Sequence, residues 1–191
     1  MRFRWLVALV MACTRLASAQ TTDGGYDKAL STSLAKVAKS MHSTIRTNLA
    51  EAAEAMTEAD YAFRPTAEVR TFGQLVGHIA GANIFFCSQA AGEKPPTTEN
   101  YEAISNRAAL LKGLKDALAY CDRVYGSTTD TTFSTPVRMG AGPGTPPTET
   151  TLGAVLMFNV AHNNEHYGNV VVYMRLRGRV PPSTARAQSS K

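Results

Sequence analysis

The sequence predicts an all-α protein, a four-helix bundle behind a short N-terminal leader. Three observations carry this. Four long segments repeat apolar residues at spacings of three and four. No stretch of any length alternates apolar and polar residues as a strand would. Breaks bearing Gly, Pro and Thr separate the four segments.

Residues 1–19 are expected to be a signal peptide. "MRFR" is a basic start, "WLVALVMAC" is a nine-residue apolar run, and "ASA" ending at Ala19 is a small-residue cleavage site. The run is shorter than the roughly 20 residues a membrane span needs, and no later segment qualifies as a transmembrane segment. Acylation of Cys13 is a second reading of the leader, but Met11 two residues before it fits a lipoprotein signal poorly. Export to the periplasm or beyond is therefore the expectation. A single domain is expected over 20–184, with 185–191 as a disordered tail.

The whole chain has 20 basic and 15 acidic residues; without Arg2, Arg4 and Arg15 the balance is 17 to 15, or +2. No basic cluster with interleaved aromatics remains, which argues against a nucleic-acid partner. Two cysteines follow the leader, Cys87 and Cys121, and in an exported chain an even pair reads first as a disulfide.

The first helix is carried by Leu30, Leu34, Val37, Met41, Ile45, Leu49 and Ala52, in a stretch from Asp27 to Tyr61 free of Gly and Pro. Pro65 ends that pattern by disfavouring helix at Arg64. The second helix starts where Thr71 and Gln74 have capping-box spacing, and it runs to Gly92. After the linker 92–102, a third helix covers about 103–125 and closes at Gly126. The segment 127–148, rich in Thr, Gly and Pro, is long for a loop without secondary structure, and such loops often act as lids. The fourth helix runs from about Glu149 to Arg177 and stops at Gly178, ahead of Pro181 and Pro182.

Two of the chain's four histidines, His162 and His166, stand four apart in this last helix. Stepping about 100 degrees per residue puts Val155, Phe158, Asn159, His166, Asn169 and Tyr173 within about 60 degrees of His162. Polar groups facing a core must find partners, so this face implies a network, a ligand or a metal. Residues i and i+4 lie roughly 5–6 Å apart at Cβ, close enough to share one ion. A third ligand must come from upstream, because no histidine or acid follows His166. His78 is the natural candidate, amid Gly77, Ala80, Gly81 and Ala82, whose small size admits another backbone. His42 stands one residue off the first helix's apolar stripe, as a fourth ligand or a boundary residue. Residues 162–166 also spell H-x-x-E-H, the inverted zinc-protease signature, but the acid that would complete such a site downstream is missing. Glu165 is left with an exposed or ligand-orienting role.

The stretches "FRPTAEVRTFGQLVGHIAGAN" (63–83) and "HNNEHYGNVVVYMRLRGRVPPST" (162–184) resemble the DinB family, over nearly all of the chain after the leader. The resemblance implies His78, His162 and His166 as ligands of one divalent metal. It also implies up-down-down-up topology with a crossover between the second and third helices. Parallel packing of those two helices would put Cys87 and Cys121, each about four residues from its helix end, at one height where a disulfide can form.

Three imidazoles with an open position suit zinc, nickel, cobalt or iron, in the pattern of a catalytic rather than a structural site. Characterised DinB relatives are thiol-dependent. By resemblance, the expected function is a metal-dependent thiol-transferase or hydrolase-like enzyme acting on a small molecule, with Asn159, Glu165, Asn169 and Tyr173 as substrate contacts or supports of the ligands. Low-molecular-weight thiols are scarce outside the cytoplasm, so a non-catalytic metal- or ligand-binding envelope protein is the alternative. A third reading is a structural bundle whose histidines form a hydrogen-bond network. The oligomeric state stays open, a homodimer included.

Overall fold

The computed structural model describes residues 33–140 and 146–190. The expected signal peptide lies outside these residues. Among the described residues there are seven α-helices: α1 Leu34–Ala55, α2 Glu58–Tyr61, α3 Phe72–Ala91, α4 Arg107–Ser127, α5 Asp130–Phe133, α6 Leu152–Leu176 and α7 Pro182–Ser189. A 3-10 turn, Tyr101–Ala103, and a two-stranded hairpin, β1 Pro136–Met139 and β2 Thr148–Thr151, complete them. No helix among the described residues is long and apolar enough to cross a membrane.

Local chemistry sets most helix ends. Ser33 caps α1, whose helix stops at an extended Met56. A capping box of Thr57 with Asp60 then starts α2. In the box that opens α3, the Gln74 amide donates to the Thr71 hydroxyl at 3.1 Å, and the Thr71 amide to the Gln74 side chain at 2.9 Å. Gly92, at φ 65°, ends α3 in the left-handed conformation that favours glycine. Asn106 caps α4 and Thr151 caps α6.

The four long helices enclose two apolar clusters, α1 and α3 each packing against both α4 and α6. One cluster gathers Ile45, Leu49, Phe72, Ile79, Leu114 and Met174; the other gathers Cys87, Cys121, Tyr125, Leu156 and Val160. Gly73 near the start of α3 faces Leu110 near the start of α4. Cys87 and Cys121, towards the other ends, are joined by a disulfide with Cα atoms 5.4 Å apart. Around that bridge Asn83, Asn159 and Asn163 form a buried amide network. The Asn83 and Asn163 amides exchange bonds at 3.0 Å, and Asn159 donates to the Asn83 oxygen at 3.2 Å.

Four expectations need correction. Strands are present: Val137 and Arg138 pair with Thr150 and Glu149 in the hairpin, and α5 further shortens the expected loop. Strands of four residues are too short to show periodicity. The third helix begins at Arg107 rather than 103, because residues 101–103 form a 3-10 turn that ends at an extended Ile104, and Asn106 caps the helix by accepting from the Ala109 amide. In the first half of α1, Ala35, Ala38 and His42 are buried, while Leu34 is 61% exposed. Finally, residues 185–189 are helical rather than disordered, since α7 is pinned to α1 by Arg186, which bonds Glu51 and Asn48.

Candidate metal centre

His78 projects from the middle of α3, and His162 and His166 from consecutive turns of α6. Their Nε2 atoms converge. His162 Nε2 lies 3.3 Å from His78 Nε2 and 3.0 Å from His166 Nε2, and one nitrogen from each of the three falls within 4.8 Å of the others. Three ligands at zinc–nitrogen distances of about 2.0–2.1 Å in tetrahedral directions would sit about 3.3 Å apart, so the spacing fits one cation.

Proton counting supports the same reading. The Glu102 carboxylate meets His78 Nδ1 at 2.8 Å and can only accept there, so Nδ1 carries a hydrogen and in the neutral ring Nε2 presents its lone pair to the cluster. A single Nε2 hydrogen on His162 serves one neighbour, not both. A cation satisfies all three lone pairs at once. The His162 and His166 rings are also pushed towards the neutral form that ligation requires. Burial first, then the His166 and His78 rings and Arg70, push the His162 pKa down to about 4. Burial and the His78 ring lower that of His166 as well.

Glu102 went unnoticed in the sequence. Burial works to raise its pKa, but its bonds to Arg70 and His78 outweigh this and hold it below the ordinary carboxylate range. Arg70 Nε donates to Glu102 at 2.8 Å, and the Tyr173 hydroxyl donates to the Arg70 carbonyl at 2.6 Å. Tyr173 thus supports the ligand set through two intermediaries. Glu102 is delivered by the α3–α4 connection, residues 92–106, whose Tyr101 turn is seated between two glycines. A Cβ on Gly77 would meet the Tyr101 carbonyl at 2.5 Å, and one on Gly113 would meet the Tyr101 ring at 2.4 Å. Among the described residues the Nδ1 atoms of His162 and His166 have no partner, so only His78 is oriented by a carboxylate.

The other singled-out residues go elsewhere. Asn159 spends its amide on the network around the disulfide and on the Tyr125 hydroxyl at 3.3 Å. Glu165 and Asn169 are exposed on the flank of α6 and make no hydrogen bond to a described side chain. His42 lies apart from the cluster, between α1 and α4, with Nε2 2.8 Å from Asp122 and its ring stacked on Tyr125 at 4.0 Å.

A cleft of about 330 Å³ opens beside His78 and His162, bounded by α3, the 92–106 connection and α6. The His78 and His162 imidazoles on its wall leave room for a ligand atom to approach the cluster from the cleft.

A family model described as the DinB superfamily matches residues 41–170. No curated protein matches the chain by sequence. Among solved structures, a DinB-like protein from Bacillus cereus is similar at a TM-score of 0.60 and 18% identity, over 72% of this chain and 89% of that one. A DinB-like protein from Bacillus subtilis is similar at 0.58 and 20%, over 75% and 93%. A mycothiol-dependent maleylpyruvate isomerase is similar at 0.58 and 16%, over 71% of this chain and 60% of its own length. At these identities the likeness is one of fold.

Proposed function

Because the chain belongs to the DinB superfamily, we propose that it is an exported, divalent-metal-dependent enzyme acting on a small molecule, a thiol-transferase or a hydrolase. The single observation that carries this is the convergence of the His78, His162 and His166 Nε2 atoms beside an open cleft. Those three residues would hold the ion, with zinc, nickel, cobalt and iron all compatible with an all-imidazole set. A metal so held supplies Lewis acidity towards an oxygen or sulfur atom of the substrate.

The chain's own residues do the rest. Glu102 fixes the His78 tautomer and ring direction, and Arg70 holds Glu102 in its charged form. Phe86 of α3 packs edge-on against His162, and the Tyr101 turn lies against α3 at Gly77, one residue before His78. A relative named for mycothiol supports a thiol as one co-substrate to test.

The four long helices in this reading form an up-down-down-up bundle, for which the Gly73–Leu110 and Cys87–Cys121 approaches along α3 and α4 are the support. Export rests on residues 1–19, and the disulfide is consistent with an oxidising compartment. N-terminal sequencing of the protein from an envelope fraction tests it, with Gln20 as the expected first residue and an intact Met1 as the contrary result.

The test of function is turnover. The metal-loaded protein is screened against thiols with electrophiles and against esters, beside a His162→Ala control. Activity that disappears with His162 supports the enzyme. A full metal complement with no turnover on any class would instead point to a binding protein.

A further inference from the structure

The wall of the cleft is aromatic. The Phe86 ring lies edge-on to His162 at 5.4 Å between centroids, Phe85 packs on it at 5.2 Å, and Phe158 flanks its other side at 5.2 Å. Gly81 leaves this wall open, with nothing within 4 Å of where a Cβ would stand. The opposite rim, from the 92–106 connection, is acidic. Glu99 and Glu102 both line the cleft, and no lysine or arginine does. Arg70 neutralises Glu102, whereas Glu99 is exposed and forms no ion pair with a described residue.

We infer that the cleft binds a one-ring-sized ligand with an aromatic body against Phe85 and Phe86, and with a neutral or cationic group, not an anionic one, towards Glu99. The volume, about 330 Å³, stands at the small end of ligand sites, which run from roughly 300 to 1,000 Å³. An aromatic ring set against Phe85 and Phe86 leaves water and gains edge or offset contacts. A carboxylate at the far end would face Glu99 with no counter-ion on the cleft wall. A dicarboxylate such as maleylpyruvate is therefore a poor fit, however similar the fold. The position of the ligand's head group next to His162 rests on the metal reading. The aromatic wall and acidic rim do not.

The experiment has two arms so that the two readings fail separately. On the zinc-loaded protein, affinities of acetohydroxamate, benzohydroxamate and 4-carboxybenzohydroxamate are measured by calorimetry. Benzohydroxamate is expected to bind roughly tenfold or more tighter than acetohydroxamate. The added carboxylate is expected to cost most of that gain, and Glu99→Lys, an exposed substitution, to restore it. Phe85→Ala is expected to erase the phenyl advantage while leaving acetohydroxamate unchanged. On metal-free protein, benzyl alcohol, benzylamine and benzoate are titrated against backbone amide resonances. The first two are expected to shift Gly81, Ala82 and Glu99, and benzoate to need roughly tenfold more. Equal affinity of the two simple hydroxamates, or of benzoate and benzylamine, would overturn the inference. Failure of every hydroxamate with normal benzylamine binding would overturn the metal reading instead.

Discussion

Gly77→Ala reaches the ligand set without touching a ligand. Within a helix, alanine is favoured over glycine by about 1 kcal/mol, so the substitution should stabilise α3 if nothing else changed. Here the new Cβ would lie 2.5 Å from the Tyr101 carbonyl oxygen, 2.7 Å from its carbon and 2.9 Å from the Glu102 amide. All three are backbone atoms, so the turn itself must retreat. Ordinary contact begins at 3.4 Å, which requires a retreat of about 0.9 Å from the 2.5 Å approach. A movement of that size in the turn that carries Glu102 pulls its carboxylate away from the 2.8 Å bond to His78, towards the edge of hydrogen-bonding range. Loss of such a ligand-orienting partner lowers metal affinity by about 10- to 100-fold. Overpacking should also cost roughly 1–3 kcal/mol of stability. The assay is competition for zinc with a chelator of known affinity, alongside thermal denaturation. Gly81→Ala, one turn along with open space around it, is the control and should keep its metal and gain slightly in stability. If Gly77→Ala bound zinc as tightly as the parent, the Tyr101 turn would not be what holds Glu102 on His78.

The remaining predictions are simpler. Glu102→Ala should weaken zinc binding by roughly 10- to 100-fold with the helical circular dichroism intact, and unchanged affinity would remove Glu102 from the ligand support. Reducing the Cys87–Cys121 bridge, which spans a sequence separation of 34, should cost about 4 kcal/mol in denaturant unfolding; equal midpoints with and without reductant would contradict this. Asp60 supplies a pH test. Burial works to raise its pKa, but bonds from Arg177 and Thr57 outweigh this and hold it far below 3.8. Between the two values the unfolded chain binds the extra proton, so this contribution is present above about pH 4 and lost as pH falls below it. Asp60→Asn should lower stability at pH 7 by roughly 2–3 kcal/mol and flatten the acid limb of the stability profile. An acid limb identical to the parent's would show that Asp60 does not set it.

What could be read in the sequence divides along physical lines. Interactions closed within one turn were legible: the Thr71–Gln74 box, the Gly92 stop and the shared face of His162 and His166 all follow from spacing. The Cys87–Cys121 pairing was legible too, because only these two of the three cysteines lie beyond the expected leader. Depth was not. Periodicity gives a direction around α6, and Asn159 does share the face of His162. It is completely buried beside the disulfide, however, whereas His162 borders the cleft. Glu102 was invisible because its bond to His78 spans 24 residues and depends on how the Tyr101 turn seats between Gly77 and Gly113. The α7 helix escaped for a similar reason: a polar eight-residue segment is helical here with Arg186 anchored on α1.

The central claim is that one divalent cation is shared by His78, His162 and His166. Anomalous diffraction from crystals of untagged, zinc-loaded protein, recorded on both sides of the zinc absorption edge, tests it most directly. The account predicts a single strong peak about 2.1 Å from all three Nε2 atoms. A peak located elsewhere, or none while the three rings keep their places, would contradict it.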